Sequence, residues 1–256
     1  KGHTIDGYSS LCLENEEVKK YLFDAVKQLC LAVPDLGGII TITMSENLTH
    51  CNSKGETNCP KCKYVKPQQS AAQVNNIIAA AIKKSGSDIK LIANLWGWSE
   101  FMGWSEEQTL EGITLLDKDI IVLSVSEYGL KINKGGVQNT VIDYSISNAG
   151  PSEITLKSLK HAKQKGHKIY AKVQINNTWE LSPLPFIPVF ELIAKHLQNL
   201  NDLGIEGLML SWTQGSYPSL SLYLAKRYYG GGKVDIDDWY LEIFGEHYKQ
   251  VKRAVR

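Results

Sequence analysis

Residues 36–62 read LGGIITITMSENLTHCNSKGETNCPKC, and they carry the clearest structural signal in the chain. Gly38–Met44 is a continuous run rich in β-branched residues, which predicts a strand that is buried on both faces. Ser45, Glu46 and Asn47 follow this strand directly. Because α/β barrels place their reacting groups at the carboxyl ends of buried parallel strands, Glu46 is a candidate catalytic carboxyl group. The alternative is that Glu46 is a solvated loop residue.

Four further segments have the character of a buried strand, and helical patterns separate them. The predicted strands are Gly38–Met44, Ile89–Asn94, Ile120–Val125, Lys168–Ile175 and Gly207–Ser211. Strands that alternate with helices indicate right-handed βαβ units and a parallel sheet. A doubly wound sheet is the rival fold, but no predicted strand is followed by a glycine-rich G-x-G-x-x-G turn. The sequence therefore predicts the α/β class, as part of a (β/α)8 TIM-type barrel with about five units. We expect a single domain over residues 1–256.

The composition indicates a globular chain and excludes several kinds of partner. The 256 residues are 43% hydrophobic and 21% charged, which is enough for a sizeable core. The net charge is +1, without a basic block or acidic tail, so the charge favours neither nucleic acid nor a membrane surface. The sequence has no apolar run of the roughly 18 residues that a membrane span needs. It begins at Lys1 without a methionine or signal peptide, so we expect a processed or excised piece of a longer chain. The missing N-terminal part, self-association or the terminal helices would then cover the open barrel edges.

Two more glutamates follow predicted strands. Glu127 lies two residues after the third strand, and Glu180 lies a little beyond the fourth. Glycosidic bond cleavage needs a protonated carboxyl group that assists the leaving oxygen, and a second group that stabilises or captures the oxocarbenium-like centre. An apolar pocket raises the pKa of a carboxyl group, as such an acid requires. Glu46 is the candidate acid, Glu127 the nearest candidate for the second carboxylate, and Glu180 the reserve.

Polar and aromatic side chains near the strand ends are candidates for binding a sugar, because aromatic rings stack on the apolar faces of sugar rings. The alternative for the tryptophans is packing between barrel and helices. Asp143, on an extra strand predicted over Thr140–Ile146, would orient a sugar hydroxyl or be an ordinary edge residue. The candidate substrate-binding residues are Asn47, Asn94, Trp96, Trp98, Tyr128, Asp143, Trp179 and Trp212.

The segment LCLENEEVKKYLFDAVKQL at residues 11–29, the buried strand ending in Glu46 and the later tryptophan-rich turns resemble the glycoside hydrolase family 20 β-N-acetylhexosaminidases and their relatives. The resemblance covers the C-terminal five-eighths of that family's barrel. It implies an Asp-Glu pair in which the Glu is the general acid and the Asp orients the 2-acetamido group of the substrate, which acts as the nucleophile. Glu46 matches the acid, whereas Ser45 stands where the Asp is expected. Retaining families with two glutamates, including endo-acting glycan hydrolases, are equally compatible.

The predicted function is therefore that of a glycosidase acting on an oligosaccharide or glycan by carboxylate acid/base catalysis, without a catalytic cofactor. The resemblance adds N-acetylhexosamine-containing glycans as substrates. A periplasmic or extracellular location would suit such an enzyme. The alternatives are a non-catalytic carbohydrate-binding barrel or degenerate hydrolase fragment, and another barrel lyase or metal-dependent hydrolase.

Three cysteines in the loop after the first strand have metal-ligand spacing. In the pattern Cys51-x7-Cys59-x2-Cys62, with His50 adjacent, three sulfurs and one nitrogen could bind a structural zinc ion. A disulfide between Cys51 and either partner, or free thiols, are the alternatives. The odd total of five cysteines excludes a complete set of internal disulfides. The remaining cysteines, Cys12 and Cys30, are expected in the core, and surface or packing roles are expected for His161, His167, His196 and His247.

Overall fold

A computed structural model describes residues 2–45, 47–177, 183–211, 217–229 and 233–255 of the chain. These residues divide into two compact units, of which unit 1 comprises Lys1–Ser124 and Lys157–Ile169, and unit 2 comprises Val125–Leu156 and Tyr170–Arg256. The single domain expected over residues 1–256 stays a prediction. None of the helices in the described parts of the chain is long and apolar enough to cross a membrane.

The strands of the larger sheet lie close to the predicted places. In chain order the strands are β1 (Thr4–Ile5), β2 (Tyr8–Ser9), β3 (Gly38–Ile42), β4 (Lys90–Asn94), β5 (Ile121–Val125), β6 (Lys131–Lys134), β7 (Val137–Thr140), β8 (Ile169–Val173) and β9 (Gly207–Leu210). One sheet has the order β3-β4-β5-β8-β9, and its pairs β3–β4, β4–β5 and β8–β9 are parallel. This sequential order confirms the predicted α/β class and the strand arrangement expected for part of a (β/α)8 barrel.

Helices follow or connect these strands. They are α1 (Glu16–Ala32), α2 (Pro67–Ser85), α3 (Glu106–Leu115), α4 (Glu153–Gln164), α5 (Phe190–Leu203), α6 (Leu220–Tyr228), α7 (Ile236–Phe244) and α8 (Tyr248–Ala254). Local chemistry sets several of their ends. The Asn15 side chain accepts a hydrogen bond from the amide of Glu17 and caps α1, while Pro67 begins α2 and Gly86, with a φ of 75°, ends it.

The extra strand predicted over Thr140–Ile146 is wrong, because residues 141–146 form no strand. An antiparallel hairpin of β6 and β7 precedes this segment instead. Its two-residue loop is Gly135-Gly136, and both glycines have positive φ. A two-residue hairpin turn needs this conformation if its twist is to match that of the strands. This turn pairs Lys131 with Thr140, so the ladder ends where the predicted strand was to begin. Asp143 therefore lies in a loop.

Unit 2 has an aromatic core between α5, α6 and α7. The ring centroids of Phe190 and Trp239 are 5.0 Å apart, and those of Trp239 and Tyr240 are 5.3 Å apart in an edge-on arrangement. These three side chains are almost completely buried. Ile175 belongs to the same cluster and follows β8, so the helices are fastened to the carboxyl end of that strand.

In unit 1, β3 is an outer strand of the larger sheet in the part of the chain that the structure describes. Ile40 on this strand is 45% exposed although the sequence predicts burial on both faces. An apolar side chain at a sheet edge is a feature that proteins usually cover. The expected covering of this edge by a missing N-terminal part or another chain stays a prediction.

Gly97 allows the turn after β4 to approach the turn after β3. Its φ is 83°, and a Cβ atom at this position would overlap the carbonyl oxygen of Met44. We therefore expect Gly97→Ala to lower the free energy of unfolding by more than about 2 kcal/mol, since the left-handed conformation alone costs roughly 1–2 kcal/mol. Urea unfolding measures this loss. The control is Gly86→Ala, whose φ is 75° but whose added Cβ would meet no atom within 4 Å. Equal losses in the two variants would contradict the steric argument.

Candidate functional site

Glu127 is the candidate catalytic residue that the structure describes in most detail. It lies two residues after the end of β5, and its side chain is completely buried within unit 2. The preceding residue, Ser126, donates its amide hydrogen to the carbonyl oxygen of Lys172 on β8, which fixes the backbone at this point. Burial raises the pKa of Glu127 to about 8, and the negative charge of Asp143 adds to this rise. The carboxyl group is therefore protonated at neutral pH, as a proton donor must be.

Lys172 brings a buried positive charge close to this carboxyl group. Its side chain is 3% exposed, and its Nζ atom lies 4.2 Å from the centre of the Tyr144 ring. Burial lowers the pKa of Lys172 to about 8, whereas the charge of Asp143, and that of Glu127 once it is ionised, act in the opposite direction and favour the ammonium form. Asp143 and Tyr144 come from the loop after β7, so this loop and two strand ends form one polar cluster.

His196 is another neighbour of Glu127. Its Nε2 atom is 2.6 Å from the Ser126 hydroxyl oxygen, and its Nδ1 atom is 3.6 Å from Oε1 of Glu127. Burial lowers the pKa of His196 to about 4, so the ring is neutral at pH 7. If the serine hydroxyl donates to Nε2, the single ring hydrogen is on Nδ1 and faces the Glu127 carboxyl group.

A packing role was expected for His196, and its contact with Glu127 is a feature that the sequence analysis missed. The periodicity of α5 contains a usable signal, because Ile193 and Leu200 lie three and four residues away from His196 and are also buried. Gly150 completes the site. A Cβ atom there would lie 2.7 Å from the Ser126 hydroxyl oxygen and 2.9 Å from Nε2 of His196, so only glycine fits without displacement.

A buried amide network follows β8 in unit 2, and the sequence analysis did not include it among the site residues. Gln174, Asn176 and Asn177 are all nearly inaccessible to solvent. The Gln174 amide group donates to Oδ1 of Asn177 at 3.1 Å, and Oδ1 of Asn176 accepts from the Ser219 hydroxyl at 2.7 Å. These hydrogen bonds hold the chain beyond β8 in place, because buried amides that lose their partners are costly.

In unit 1, the candidate sugar-binding residues after β4 are engaged in packing and turn formation. Trp98 is 3% exposed, its indole N–H donates to Oγ1 of Thr43 at 3.0 Å, and its ring centroid is 5.2 Å from that of Trp104. This geometry matches the packing alternative. Asn94 is buried and accepts a hydrogen bond from the amide of Trp96, whose side chain is half-buried.

The other predicted site residues are distributed as follows. Asn47 is exposed in unit 1, and its amide donates to the Ser45 hydroxyl oxygen at 3.3 Å. Tyr128 is half-buried next to Glu127 in unit 2. Asp143 lies close enough to Glu127 for its charge to raise the pKa of that carboxyl group, a proximity that the sequence analysis did not predict. Four predicted site residues lie outside the described residues and stay predictions: Glu46, Trp179, Glu180 and Trp212.

The cysteines of unit 1 form a separate buried cluster. The sulfur atoms of Cys12, Cys51, Cys59 and Cys62 all lie within 4.8 Å of one another. The proximity predicted for Cys51, Cys59 and Cys62 is confirmed, and all five cysteines are free thiols, so the disulfide alternative is not found. The fourth member is Cys12, which was expected in the core, rather than His50.

His50 has a different environment. It is completely buried, and its Nδ1 atom accepts a hydrogen bond from the amide of Asn52 at 3.2 Å. Burial lowers the pKa of His50 to about 4. The ring is therefore a neutral hydrogen-bond acceptor that orders the loop next to Cys51. The fourth potential metal ligand is Cys12, which lies in a different segment of the chain.

Comparison with known proteins yields similarity to solved structures. No family model matches the chain, and no curated protein matches it. Among solved structures, the chain is similar to a native Bacteroidetes-affiliated GH5 cellulase linked with a polysaccharide utilization locus, with a TM-score of 0.47 and 13% sequence identity. The similarity covers 94% of this chain and 66% of the cellulase chain, so the chain spans just under two thirds of the length of that protein. Membership of family 20 stays a prediction.

Proposed function

We propose that this chain is the carbohydrate-cleaving part of a glycoside hydrolase and that Glu127 is its proton donor. The observation that carries this proposal is the state of Glu127, a completely buried carboxyl group at the end of a parallel strand with a pKa of about 8. General acids of glycosidases require a raised pKa of this kind. The substrates are oligosaccharides or glycans, and N-acetylhexosamine-containing glycans are the first to examine.

The neighbours of Glu127 suit a proton donor. In the first step Glu127 gives its proton to the glycosidic oxygen, the bond between this oxygen and the sugar C1 breaks, and the carboxylate that remains is negative. The nearby Lys172 ammonium group stabilises this new charge, and Asp143 balances the ammonium charge before the step. The neutral His196 ring adds no second charge. Because Glu127 is completely buried, the side chains around it must move for a glycosidic oxygen to reach it.

This assignment changes a role expected from the sequence. Glu127 becomes the acid, in place of Glu46. Water then completes hydrolysis, and the Glu127 carboxylate takes up a proton from it, which restores the initial state.

Replacing Glu127 by glutamine tests this proposal, because the amide keeps the shape of the side chain but has no proton to transfer. Hydrolysis is measured on alkyl and nitrophenyl glycosides of glucose and of N-acetylglucosamine. We expect a loss of roughly 10²–10⁴-fold on the alkyl glycosides, whose leaving groups need a proton, and a smaller loss on the nitrophenyl glycosides. In the unchanged chain, activity should fall above a pH of about 8, where Glu127 loses its proton.

The matched control is Glu153→Gln, which changes an exposed glutamate of unit 2 and should leave all rates unaltered. Equal losses on both kinds of glycoside, or no loss, would remove Glu127 from the acid role. An unchanged chain that binds glycans without cleaving any of these glycosides would overturn the proposal in favour of a carbohydrate-binding barrel.

A further inference from the structure

We infer that Cys12, Cys51, Cys59 and Cys62, here called the cysteine cluster, bind one structural zinc ion through four sulfur atoms. This inference is independent of the proposed glycosidase activity. All four side chains are at most 5% exposed. Four protein ligands complete the tetrahedral shell that zinc adopts in structural sites, so the ion would have no open position for a substrate or water.

The spacing of the sulfur atoms fits a single ion. Zinc–sulfur bonds of about 2.3 Å place the corners of a tetrahedron roughly 3.8 Å apart. The sulfur of Cys12 lies 3.7 Å from that of Cys59 and 3.5 Å from that of Cys62. Disulfide-bonded sulfurs would be only about 2.05 Å apart. An iron–sulfur cluster with each cysteine on a different iron would hold the sulfurs farther apart.

Ordinary core packing does not account for the cysteine cluster. Buried cysteines in a core pack against aliphatic or aromatic side chains. In the described part of the chain, the apolar cluster around these sulfurs consists of the four cysteines alone. Cys30 provides the contrast, since it is equally buried but lies on α1 and outside this cluster.

The surroundings of Cys51 supply further support. The Ser10 hydroxyl donates to the sulfur of Cys51 at 3.4 Å, and hydrogen bonds of this kind stabilise a thiolate ligand. A Cβ atom at Gly2 would lie 2.5 Å from the same sulfur, so the N-terminal segment approaches the cysteine cluster as closely as glycine permits.

The inferred ion would join two segments that are far apart in sequence. Cys12 precedes α1, whereas the other three cysteines lie in the loop between β3 and α2. Direct hydrogen bonds connect the same segments. The Asn58 side chain accepts a hydrogen bond from the amide of Thr4 at 3.0 Å and donates one to the carbonyl oxygen of Thr4 at 2.9 Å. The zinc ion would therefore fasten the loop that begins at the carboxyl end of β3.

The first test is metal analysis of the chain purified without added metal or chelator. We expect about one zinc per chain, and four thiols that react with a thiol reagent only after the metal is removed. Cys12→Ser should lower the zinc content at least severalfold, whereas Cys30→Ser should keep it. Removing the metal should lower Tm by roughly 5–10 °C, because binding of a structural ion contributes to folding stability.

Cobalt substitution keeps the inference testable if Cys12→Ser does not fold. Co²⁺ bound to the unchanged chain should show the intense sulfur-to-cobalt charge-transfer absorption and the visible bands of four-sulfur coordination. A three-sulfur, one-nitrogen spectrum that changes in His50→Ala would overturn the ligand set. Bound iron would overturn the assignment to zinc. Four freely reactive thiols in a folded, metal-free chain that does not take up Zn²⁺ would overturn the site itself.

Discussion

Replacing Glu127 by glutamine is expected to make the chain more stable than the unchanged protein, and this advantage should grow as the pH rises from about 5 to 8. The pKa of Glu127 is about 8 in the folded chain against an ordinary value of 4.5. Between these values the folded chain holds one proton more than the unfolded chain, so a rising pH favours unfolding. Since one pKa unit corresponds to about 1.4 kcal/mol, the ceiling of this effect is about 5 kcal/mol. The glutamine side chain does not titrate, so the variant lacks this pH-dependent loss of stability.

Urea unfolding at pH 5, 6.5 and 8 measures this effect as the difference between the variant and the unchanged chain. The difference cancels the contribution of His50, whereas His196 contacts the replaced side chain and remains part of the measured effect. Their lowered pKa values act in the opposite direction and reduce stability as the pH falls from 6.5 towards 4. The control Glu153→Gln changes an exposed side chain and should alter the free energy of unfolding by no more than about 0.5 kcal/mol. The same difference at all three pH values for Glu127→Gln would mean that burial does not shift its titration.

Trp239→Ala is expected to lower the free energy of unfolding by about 3–5 kcal/mol, because truncating a buried tryptophan leaves a large cavity. Trp239 is 2% exposed, and its ring centroid lies 5.0 Å from that of Phe190 and 6.2 Å from that of Phe244. The loss should appear in urea unfolding as a lower midpoint. Trp239→Phe should lose much less, because a second ring refills most of the space.

Leu241→Ala is the matched control on the same helix. Leu241 is 51% exposed, so its truncation should change the free energy of unfolding by no more than about 0.5 kcal/mol. A loss for Leu241→Ala as large as that for Trp239→Ala would contradict the role of the aromatic core, because alanine is the better helix former and propensity cannot cause either loss. The ranking of the three variants thus measures what the core contributes.

The strands could be predicted from sequence because their signal is local. Short, largely apolar runs indicated β3, β4, β5, β8 and β9, and their ends differ from the predicted ones by at most two residues. The hairpin of β6 and β7 was missed because its short strands are largely polar and exposed. Their pairing depends on the conformational freedom of Gly135 and Gly136 rather than on an apolar pattern.

The candidate site could be predicted only in part, because its contacts join distant parts of the chain. Glu127 was identifiable from its place after a strand. Its neighbour His196 is 69 residues further along, and only the paired strands and α5 bring them together. Likewise, the spacing of Cys59 and Cys62 indicates a metal site in the sequence. Cys12 has no such spacing and is indistinguishable in sequence from a small core residue, and only the fold shows that it lies beside them.

The neutral state of Glu127 also changes how the chain behaves as a charged particle. The formal net charge of +1 counts every glutamate as ionised. With Glu127 protonated at pH 7, the native chain carries +2 by the same count. The unfolded chain, with an ordinary carboxyl group, returns to +1. Folding at neutral pH is thus accompanied by proton uptake at this residue, and the native protein migrates in an electric field as a more basic molecule than its composition implies.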